Sequence, residues 1–304
     1  MRVCVTGASG FVGSALCPFL EGQGHEVVRL TSRSADLTKQ GSLEPYASMK
    51  FDVIYHLAAW TQAGDFSLHH CGEEWMINQA MNTNLLTWWA TVQPQAKLIA
   101  IGTSCSYDPS LPHVEENYTL GMPTESLVTY AMTKRMIYYG LSALNRQFGL
   151  RYLTVAPSTI YGPGYQLRDG KQLHFIFDLI RKIVQGKLTG EEVVLWGDGY
   201  QKRELIYIDD FIAVLVGLAG ICENMLVNIG GGEEHTIREF AGMICDDVGY
   251  DPALIQYDTS KFVGARAKFL IIDKLKGLLP DISFTPLRQG LTQTIAWYWN
   301  QLNA

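Results

Sequence analysis

The chain has 304 residues, 47% of them hydrophobic, which suits one large domain or two smaller ones around a substantial core. Its net charge is -6 at pH 7 and no run of Lys or Arg stands out, so we expect no nucleic-acid partner. No apolar stretch reaches membrane-spanning length; the apolar residues 211–219 are too few. Six scattered cysteines without a CxxC pair, and no recognisable signal peptide, predict reduced thiols and a cytoplasmic location.

The N-terminal stretch combines a strand, a glycine-rich turn and a helix. Residues 3–5 are apolar on both faces, as in a buried parallel strand. Glycines follow at a spacing of three, at Gly7, Gly10 and Gly13. They permit a tight turn and a close backbone approach, and the N-terminus of the helix predicted at 14–20 attracts anions. This stretch predicts a site for the pyrophosphate of a dinucleotide; a glycine turn without a ligand is the alternative.

The loop after the second predicted strand, at residues 25–30, bears on the choice of cofactor. An acidic residue there would hold a ribose 2′-hydroxyl, whereas a basic residue suits a 2′-phosphate. The loop contains Arg33 and has no acid before Asp36. NADP(H) is therefore favoured, NAD(H) stays possible, and a solvated loop arginine is the alternative interpretation.

Strands and helices alternate along the first half of the chain, and the alternation weakens after residue 164. Strands are predicted at 51–57, 97–101, 151–156, 193–196 and 226–229, and helices at 73–92, 126–148, 173–185 and 236–248. This order predicts an α/β fold, a Rossmann-type doubly wound parallel sheet with a smaller C-terminal substrate-binding lobe. We assign residues 1–163 and 205–230 to the sheet domain, and residues 164–204 and 231–304 to the lobe.

Tyr130 and Lys134 are four residues apart and therefore share one face of a predicted helix. A phenol has an ordinary pKa of about 10, and an adjacent ammonium favours the phenolate. We therefore expect a lowered pKa for Tyr130, which would make it an acid or base near neutrality. Lys134 would also hold ribose hydroxyls of the cofactor. The pair alone is a weak signal, because many surface helices carry such pairs.

Further motifs occur in order along almost the whole chain. The GxxGxxG turn is followed by His56-Leu-Ala-Ala59, Asn78, Tyr130-Ala-Met-Thr-Lys134, residues 157–163 and residues 203–210. Together they resemble the extended short-chain dehydrogenase/reductase family, which contains nucleotide-sugar epimerases, dehydratases and reductases. The resemblance implies a Rossmann domain that binds NAD(P) and a lobe that binds a nucleoside-diphosphate sugar.

The same resemblance implies most of the site residues. Thr103, four positions before Tyr107, is implied as the third catalytic residue, with Ser104 as the near alternative. No metal ligand is implied. The implied cofactor contacts are Gly7, Ser9, Gly10, Phe11, Val12, Gly13, Arg33, Asp36, Leu37, Leu57, Ala58, Ala59, Asn78, Tyr130, Lys134, Pro157, Thr159 and Ile160.

Residues 103–109 resemble the corresponding loop of GDP-L-fucose synthases and GDP-mannose 3,5-epimerases, which have a catalytic cysteine at the position of Cys105. In the fucose synthases a histidine at the start of a later helix is its partner, and His174 lies at about that place. Their ordinary pKa values, near 8.5 and 6.5, would let this pair move protons at C3 and C5 of a 4-keto sugar. Core packing of Cys105, and capping or packing by His174, are the alternatives.

The substrate contacts are implied by the same resemblance, although this sequence differs from the common family pattern at two positions. Ala156 stands where many family members have arginine, and Thr159 where asparagine is common. Trp196 precedes Gly197 as in the fucose synthases, and core packing is its alternative role. Lys202, and less directly Arg168, are further cations for the diphosphate. The implied substrate contacts are Thr103, Ser104, Cys105, Thr159, His174, Lys182, Trp196 and Arg203.

These features predict an NADP(H)-dependent epimerase and reductase acting on a 4-keto-6-deoxy sugar, GDP-linked. Two other functions stay open: an NAD-dependent nucleotide-sugar 4-epimerase, in which Cys105 and His174 are bystanders, and a non-catalytic NAD(P)-binding sensor. Intact Thr103, Tyr130 and Lys134 count against the sensor.

The two long predicted helices also indicate an assembly, because both are apolar on more than one face. In the second, Met132, Met136, Tyr139 and Ala143 form one apolar stripe. Family members pair these helices across a two-fold axis, so the resemblance implies a homodimer. Contact of the stripe with loops of the same chain is the alternative.

Overall fold

A computed structural model of the protein describes residues 1–165, 172–261 and 266–302. Its strands are β1 (Arg2–Thr6), β2 (Glu26–Leu30), β3 (Val53–His56), β4 (Lys97–Ile101), β5 (Tyr152–Pro157), β6 (Thr159–Tyr161), β7 (Val193–Trp196), β8 (Lys202–Tyr207), β9 (Met225–Ile229), β10 (Glu234–Thr236) and β11 (Ile255–Asp258). Its helices are α1 (Phe11–Gly22), α2 (Phe66–His69), α3 (Cys71–Val92), α4 (Val128–Phe148), α5 (Phe175–Thr189), α6 (Ile208–Ile221), α7 (Ile237–Val248), α8 (Asp273–Leu278) and α9 (Leu287–Leu302).

The main sheet is parallel, with the strand order β2-β1-β3-β4-β5-β9. Its inner strands are almost wholly buried, as a sheet covered by helices on both faces requires. The chain runs from β1 to β2 and then returns to β3 on the other side of β1. Ligands of open α/β sheets bind at the carboxyl ends of the strands beside such a reversal. The predicted Rossmann-type sheet is confirmed.

The later segments build two smaller sheets beside the main one. β8 pairs with β6 and β10, and β7 pairs with β11. β9 instead returns to the main sheet next to β5. One hydrophobic core includes residues of both parts, from Val3 in β1 to Phe240 in α7. The predicted division at 204/205 falls inside β8, and the domain limits as a whole stay a prediction.

The predicted helix limits need correction at several ends. α1 begins at Phe11, and α4 begins at Val128 after a short 3-10 turn. α6 begins at Ile208, before the apolar residues 211–219, so Asp209 and Asp210 lie in its first turn. There they face the positive end of the helix dipole.

The predicted absence of a membrane span and of disulfides can be compared with the structure. No helix among the described residues is long and apolar enough to cross a membrane. All six cysteines are free thiols, four of them buried.

Helices α3 and α4 pack against each other and leave one side of the pair uncovered. Trp75 and Met76 of α3 are 41% and 64% exposed. Met136 and Tyr139 of α4 are 43% and 50% exposed. In the apolar stripe only Met132 is half-buried, and Ala143 is exposed as well. The alternative, in which loops of the same chain cover the stripe, is therefore wrong for three of its four residues.

We expect this face to be the contact of a homodimer, so Met136→Glu should place a charge at the centre of a self-complementary apolar surface. Light scattering after gel filtration should give a dimeric mass for the wild type and a monomeric mass for the variant. Leu254→Glu adds the same charge at another exposed apolar residue, 55% exposed and outside both helices, and should leave the mass unchanged. A monomeric wild type at micromolar concentration would contradict the dimer.

Candidate active site

The turn between β1 and α1 brings backbone segments unusually close together. Gly7 has a φ of +66°, and a Cβ there would lie 2.7 Å from the backbone nitrogen of Ala58. A Cβ at Gly13 would lie 2.4 Å from the carbonyl oxygen of Gly7. α1 begins after Gly10 with no side-chain cap, so its first N–H groups and its dipole are available to an anion. This glycine cradle fits the pyrophosphate of a dinucleotide.

The other predicted cofactor residues surround the cradle in different ways. Phe11 and Val12 start α1, and the Phe11 ring packs edge-on against Tyr165 and Phe177 with centroids 5.4 and 5.9 Å away. Leu57, Ala58 and Ala59 follow β3, next to Gly7. The remaining members lie on the turn or along β5 and β6: Ser9, Pro157, Thr159 and Ile160.

Asn78 contacts the backbone of the loop after Ala59. Its Oδ1 accepts a hydrogen bond from Trp60 N at 2.9 Å, and its Nδ2 donates to the carbonyl oxygens of Trp60 and Glu74, both at 2.8 Å. Both ends of the buried carboxamide are therefore occupied. We infer that Asn78 fixes the loop beside the cofactor; direct contact stays a prediction.

The side chains of Arg33 and Asp36 differ in the hydrogen bonds and ion pairs that they make with the rest of the protein. The Asp36 carboxylate accepts hydrogen bonds from Thr38 N and Oγ1 at 3.1 and 2.7 Å and pairs with Lys39 at 3.4 Å. Leu37 is buried. Arg33 is exposed and makes no hydrogen bond or ion pair with the described residues. Its charge is thus available to a phosphate.

Thr103, Cys105 and Tyr130 meet at the carboxyl end of β4. The Thr103 Oγ1 accepts a hydrogen bond from Cys105 N at 3.2 Å, and Thr103 also favours the ionised form of the nearby Tyr130 phenol. Lys134 lies one turn further along α4, with its Nζ 5.8 Å from the centre of the Tyr130 ring. That Nζ donates to the carbonyl oxygen of Ile101 at 2.8 Å.

The pKa of Tyr130 is raised, so the expectation of a lowered value is wrong. Burial is the main cause, and the nearby Cys105, Tyr118 and Glu74 add to it because they disfavour a phenolate. Lys134 is not among the groups that shift the pKa of Tyr130, and burial lowers the pKa of Lys134 itself to about 8. The Tyr130 phenol is therefore protonated at neutral pH.

Cys105 lies beside a lysine that no sequence motif indicates. The Nζ of Lys268 is 3.4 Å from the Cys105 Sγ, across 163 positions of the chain. Burial alone would raise the pKa of this thiol, but Lys268, the Thr103 hydroxyl and Arg203 together hold it below its usual value. Cys105 also lines the cleft described below, so the core-packing alternative is wrong.

His174 precedes α5 at its N-cap position, but its side chain does not cap the helix. Its ring lies edge-on to Tyr165 at 6.2 Å. Burial lowers the pKa of His174 to about 4, and the Lys268 ammonium contributes. The ordinary pKa of about 6.5 therefore does not apply to His174. Its imidazole is neutral at pH 7.

A cleft of about 1520 Å³ connects these groups to the second lobe. Trp196 is 52% exposed in it, so its core-packing alternative is wrong. The Lys182 Nζ pairs with Asp178 at 3.2 Å and lies 5.7 Å from the centre of the Trp196 ring. Lys202 is not among the lining residues, and Arg168 lies outside the described residues. The predicted substrate residues that line the cleft are Ser104, Cys105, Thr159, His174, Lys182, Trp196 and Arg203.

Comparisons with known proteins identify the family of this chain. The model of the NAD dependent epimerase/dehydratase family matches residues 3–230. GDP-L-fucose synthase 1 of Arabidopsis thaliana is 30% identical over 312 residues, covering 98% of this chain and 93% of that protein. GDP-L-colitose synthase of Yersinia pseudotuberculosis is 28% identical over 313 residues, covering 100% and 99%. A crystal structure of a GDP-L-fucose synthetase from Naegleria fowleri bound to NADP has a TM-score of 0.85 at 24% identity, covering 100% and 95%. By its sequence, its sheet and its glycine cradle, this chain belongs to the NAD dependent epimerase/dehydratase family.

Proposed function

We propose that this chain is an NADP(H)-dependent epimerase and reductase acting on a 4-keto-6-deoxy sugar, carried on GDP. The observation that carries the proposal is that Tyr130 and Cys105 line a cleft large enough for a nucleotide sugar, with the buried Thr103 bonded to Cys105 N. The names of the relatives, fucose and colitose synthases of GDP sugars, support the substrate class.

The epimerisation half uses the Cys105 sulfur as a base. A 4-keto group acidifies the hydrogens on C3 and C5 of the sugar. As the C–H bond breaks, its proton passes to the sulfur and its electron pair stays on the sugar as an enolate. A proton then returns to the same carbon on the opposite face of the ring, the step for which His174 is the candidate in this cleft, and the configuration is inverted. Lowering the thiol pKa increases the fraction of thiolate that can take this proton at neutral pH.

The reduction half uses Tyr130 as an acid. A bound nicotinamide supplies the hydride for C4. Tyr130, protonated because burial raises its pKa, donates its proton to the C4 oxygen. The Thr103 hydroxyl donates a second hydrogen bond to that oxygen.

A 4-epimerase would leave Cys105 and His174 without a role. The contact of Cys105 with Lys268 inside the cleft therefore favours the epimerase and reductase. The two activities differ in their cofactor balance, because a 4-epimerase returns its cofactor to the starting state. Incubation with a GDP-linked 4-keto-6-deoxy sugar should oxidise one NADPH per product, and turnover without net oxidation would favour the 4-epimerase.

Tyr130→Phe should lower kcat by about a hundredfold or more, because the variant has no proton for the C4 oxygen. NADPH affinity, measured by fluorescence titration, should change little. Tyr200→Phe removes a hydroxyl from a tyrosine that is 58% exposed and is not among the residues lining the cleft, and should retain wild-type kcat. Full turnover by Tyr130→Phe would remove Tyr130 from the mechanism.

Arg33→Ala should weaken NADPH binding far more than NADH binding. A charge-assisted contact to the 2′-phosphate contributes about 1.5 to 3 kcal/mol, which is roughly a 10- to 150-fold change in Kd. Calorimetric titration of both cofactors measures the difference. Arg29→Ala is the control, since Arg29 pairs with Glu21 at 2.7 Å. Equal losses for both cofactors, or tighter NADH binding by the wild type, would contradict NADP preference.

Cys105→Ser should slow the uptake of solvent deuterium at C3 and C5, since a hydroxyl is a far weaker acid than a thiol. Wild-type protein in deuterated water should label a GDP-linked 4-keto-6-deoxy sugar, followed by NMR. Cys71→Ser, which changes an exposed thiol, should exchange at the wild-type rate. Undiminished exchange by Cys105→Ser would assign the proton transfer to another group.

A further inference from the structure

Lys268 reaches Cys105 from a segment that is fixed at several points. The backbone N–H of Leu270 donates to the Glu204 Oε2 at 3.0 Å, and that of Ile271 donates to the carbonyl oxygen of His113 at 3.1 Å. The Nδ2 of Asn228 donates to the Ile271 carbonyl oxygen at 3.1 Å. These bonds hold the backbone just after Lys268, so its position beside the sulfur is built into the fold.

Two cations act on the Cys105 sulfur, and Lys268 is the one in direct contact with it. Its Nζ is the hydrogen-bond donor of the 3.4 Å contact, whereas Arg203 acts on Cys105 through its charge. An ammonium in a largely desolvated site stabilises an adjacent anion far more than it would in water. Four other titratable groups face this pair. Besides burial, the charge of Cys105 raises the pKa of Tyr118 and Tyr130, and the charge of Lys268 lowers the pKa of His113 and His174.

We propose that Lys268 is the positioning residue for Cys105: its ammonium holds the sulfur in the cleft as a thiolate, ready to take a proton from the sugar. This inference rests on the proposed function in one respect, namely that a sugar carbon is the source of the proton that Cys105 takes. The proton leaves carbon, the S–H bond forms, and the carbon's electron pair remains on the enolate. The thiolate is regained when the sulfur gives this proton up to solvent, and it then pairs with Lys268 again.

The pairing can be measured without substrate or cofactor, through the alkylation rate of Cys105. Iodoacetamide reacts with thiolates, so the rate rises with pH around the thiol pKa. Mass spectrometry of the Cys105 peptide should give a wild-type midpoint below the ordinary value of about 8.5. Lys268→Gln should raise that midpoint by about one pH unit or more, and Lys268→Arg should largely restore it.

Two controls separate local pairing from damage to the fold. Cys71 is exposed in the same protein, so its alkylation rate should not respond to the Lys268 variants. Lys182→Gln removes another cation of the cleft, one that pairs with Asp178, and should leave the Cys105 midpoint unchanged. If Lys268→Gln does not fold, the wild type alone still decides: a midpoint at or above about 8.5 would overturn the pairing.

Deuterium uptake then distinguishes failure of the pairing from failure of the proposed function. At pH 7, Lys268→Gln should exchange roughly tenfold more slowly than wild type, following the one-unit shift. A raised KM for the sugar with an unchanged Cys105 midpoint would make Lys268 a substrate-binding cation and overturn the inference. If the wild-type alkylation midpoint of Cys105 lies below about 8.5 but the wild type exchanges no deuterium, the pairing stands and the proposed function is overturned.

Discussion

One buried carboxamide joins three segments on which the site depends. Asn228, at the end of β9, is fully buried. Its Oδ1 accepts from the Tyr107 hydroxyl at 2.6 Å, and its Nδ2 donates to the carbonyl oxygens of His113 and Ile271. An unpaired amide there would cost roughly 1–3 kcal/mol for each lost partner. This requirement fixes the positions of the loop after β4, the edge strand of the main sheet and the segment after Lys268 relative to one another.

Within that framework, burial acts differently on each ionisable group of the cleft. Burial raises the pKa of Tyr130 and lowers that of His174, so both are neutral at pH 7. Cys105 departs from this pattern because cations and a hydroxyl surround its sulfur. One cleft therefore contains a phenol whose pKa is raised and a thiol whose pKa is lowered. Such separation of pKa values is how active sites assign acid and base roles at one pH.

Much of the fold and the chemistry was predictable from local patterns. The glycine spacing, the strands and the Tyr130–Lys134 face need only neighbouring residues to be recognised. Lys268 was not predictable, since its partner Cys105 is 163 positions away and no periodic pattern surrounds it. Trp196 ends an apolar run, but β7 lies in a two-stranded sheet and alternates buried and exposed residues, so the tryptophan faces the cleft. The pKa values of Tyr130 and His174 depend on burial, which spacing alone does not reveal.

The long separation of Cys105 from Lys268 has a consequence for synthesis of the chain. Domains fold from the N-terminus as the ribosome extends them. The glycine cradle, Cys105 and Tyr130 emerge early, but β5 gains its second neighbour only with β9, and Asn228 gains its Ile271 partner later still. A nascent chain that ends before Lys268 therefore has Cys105 without its ammonium. The 3.4 Å contact between the two side chains therefore forms only after synthesis has passed residue 268 of 304, later than the turn, the sheet strands and the helix that surround the rest of the site.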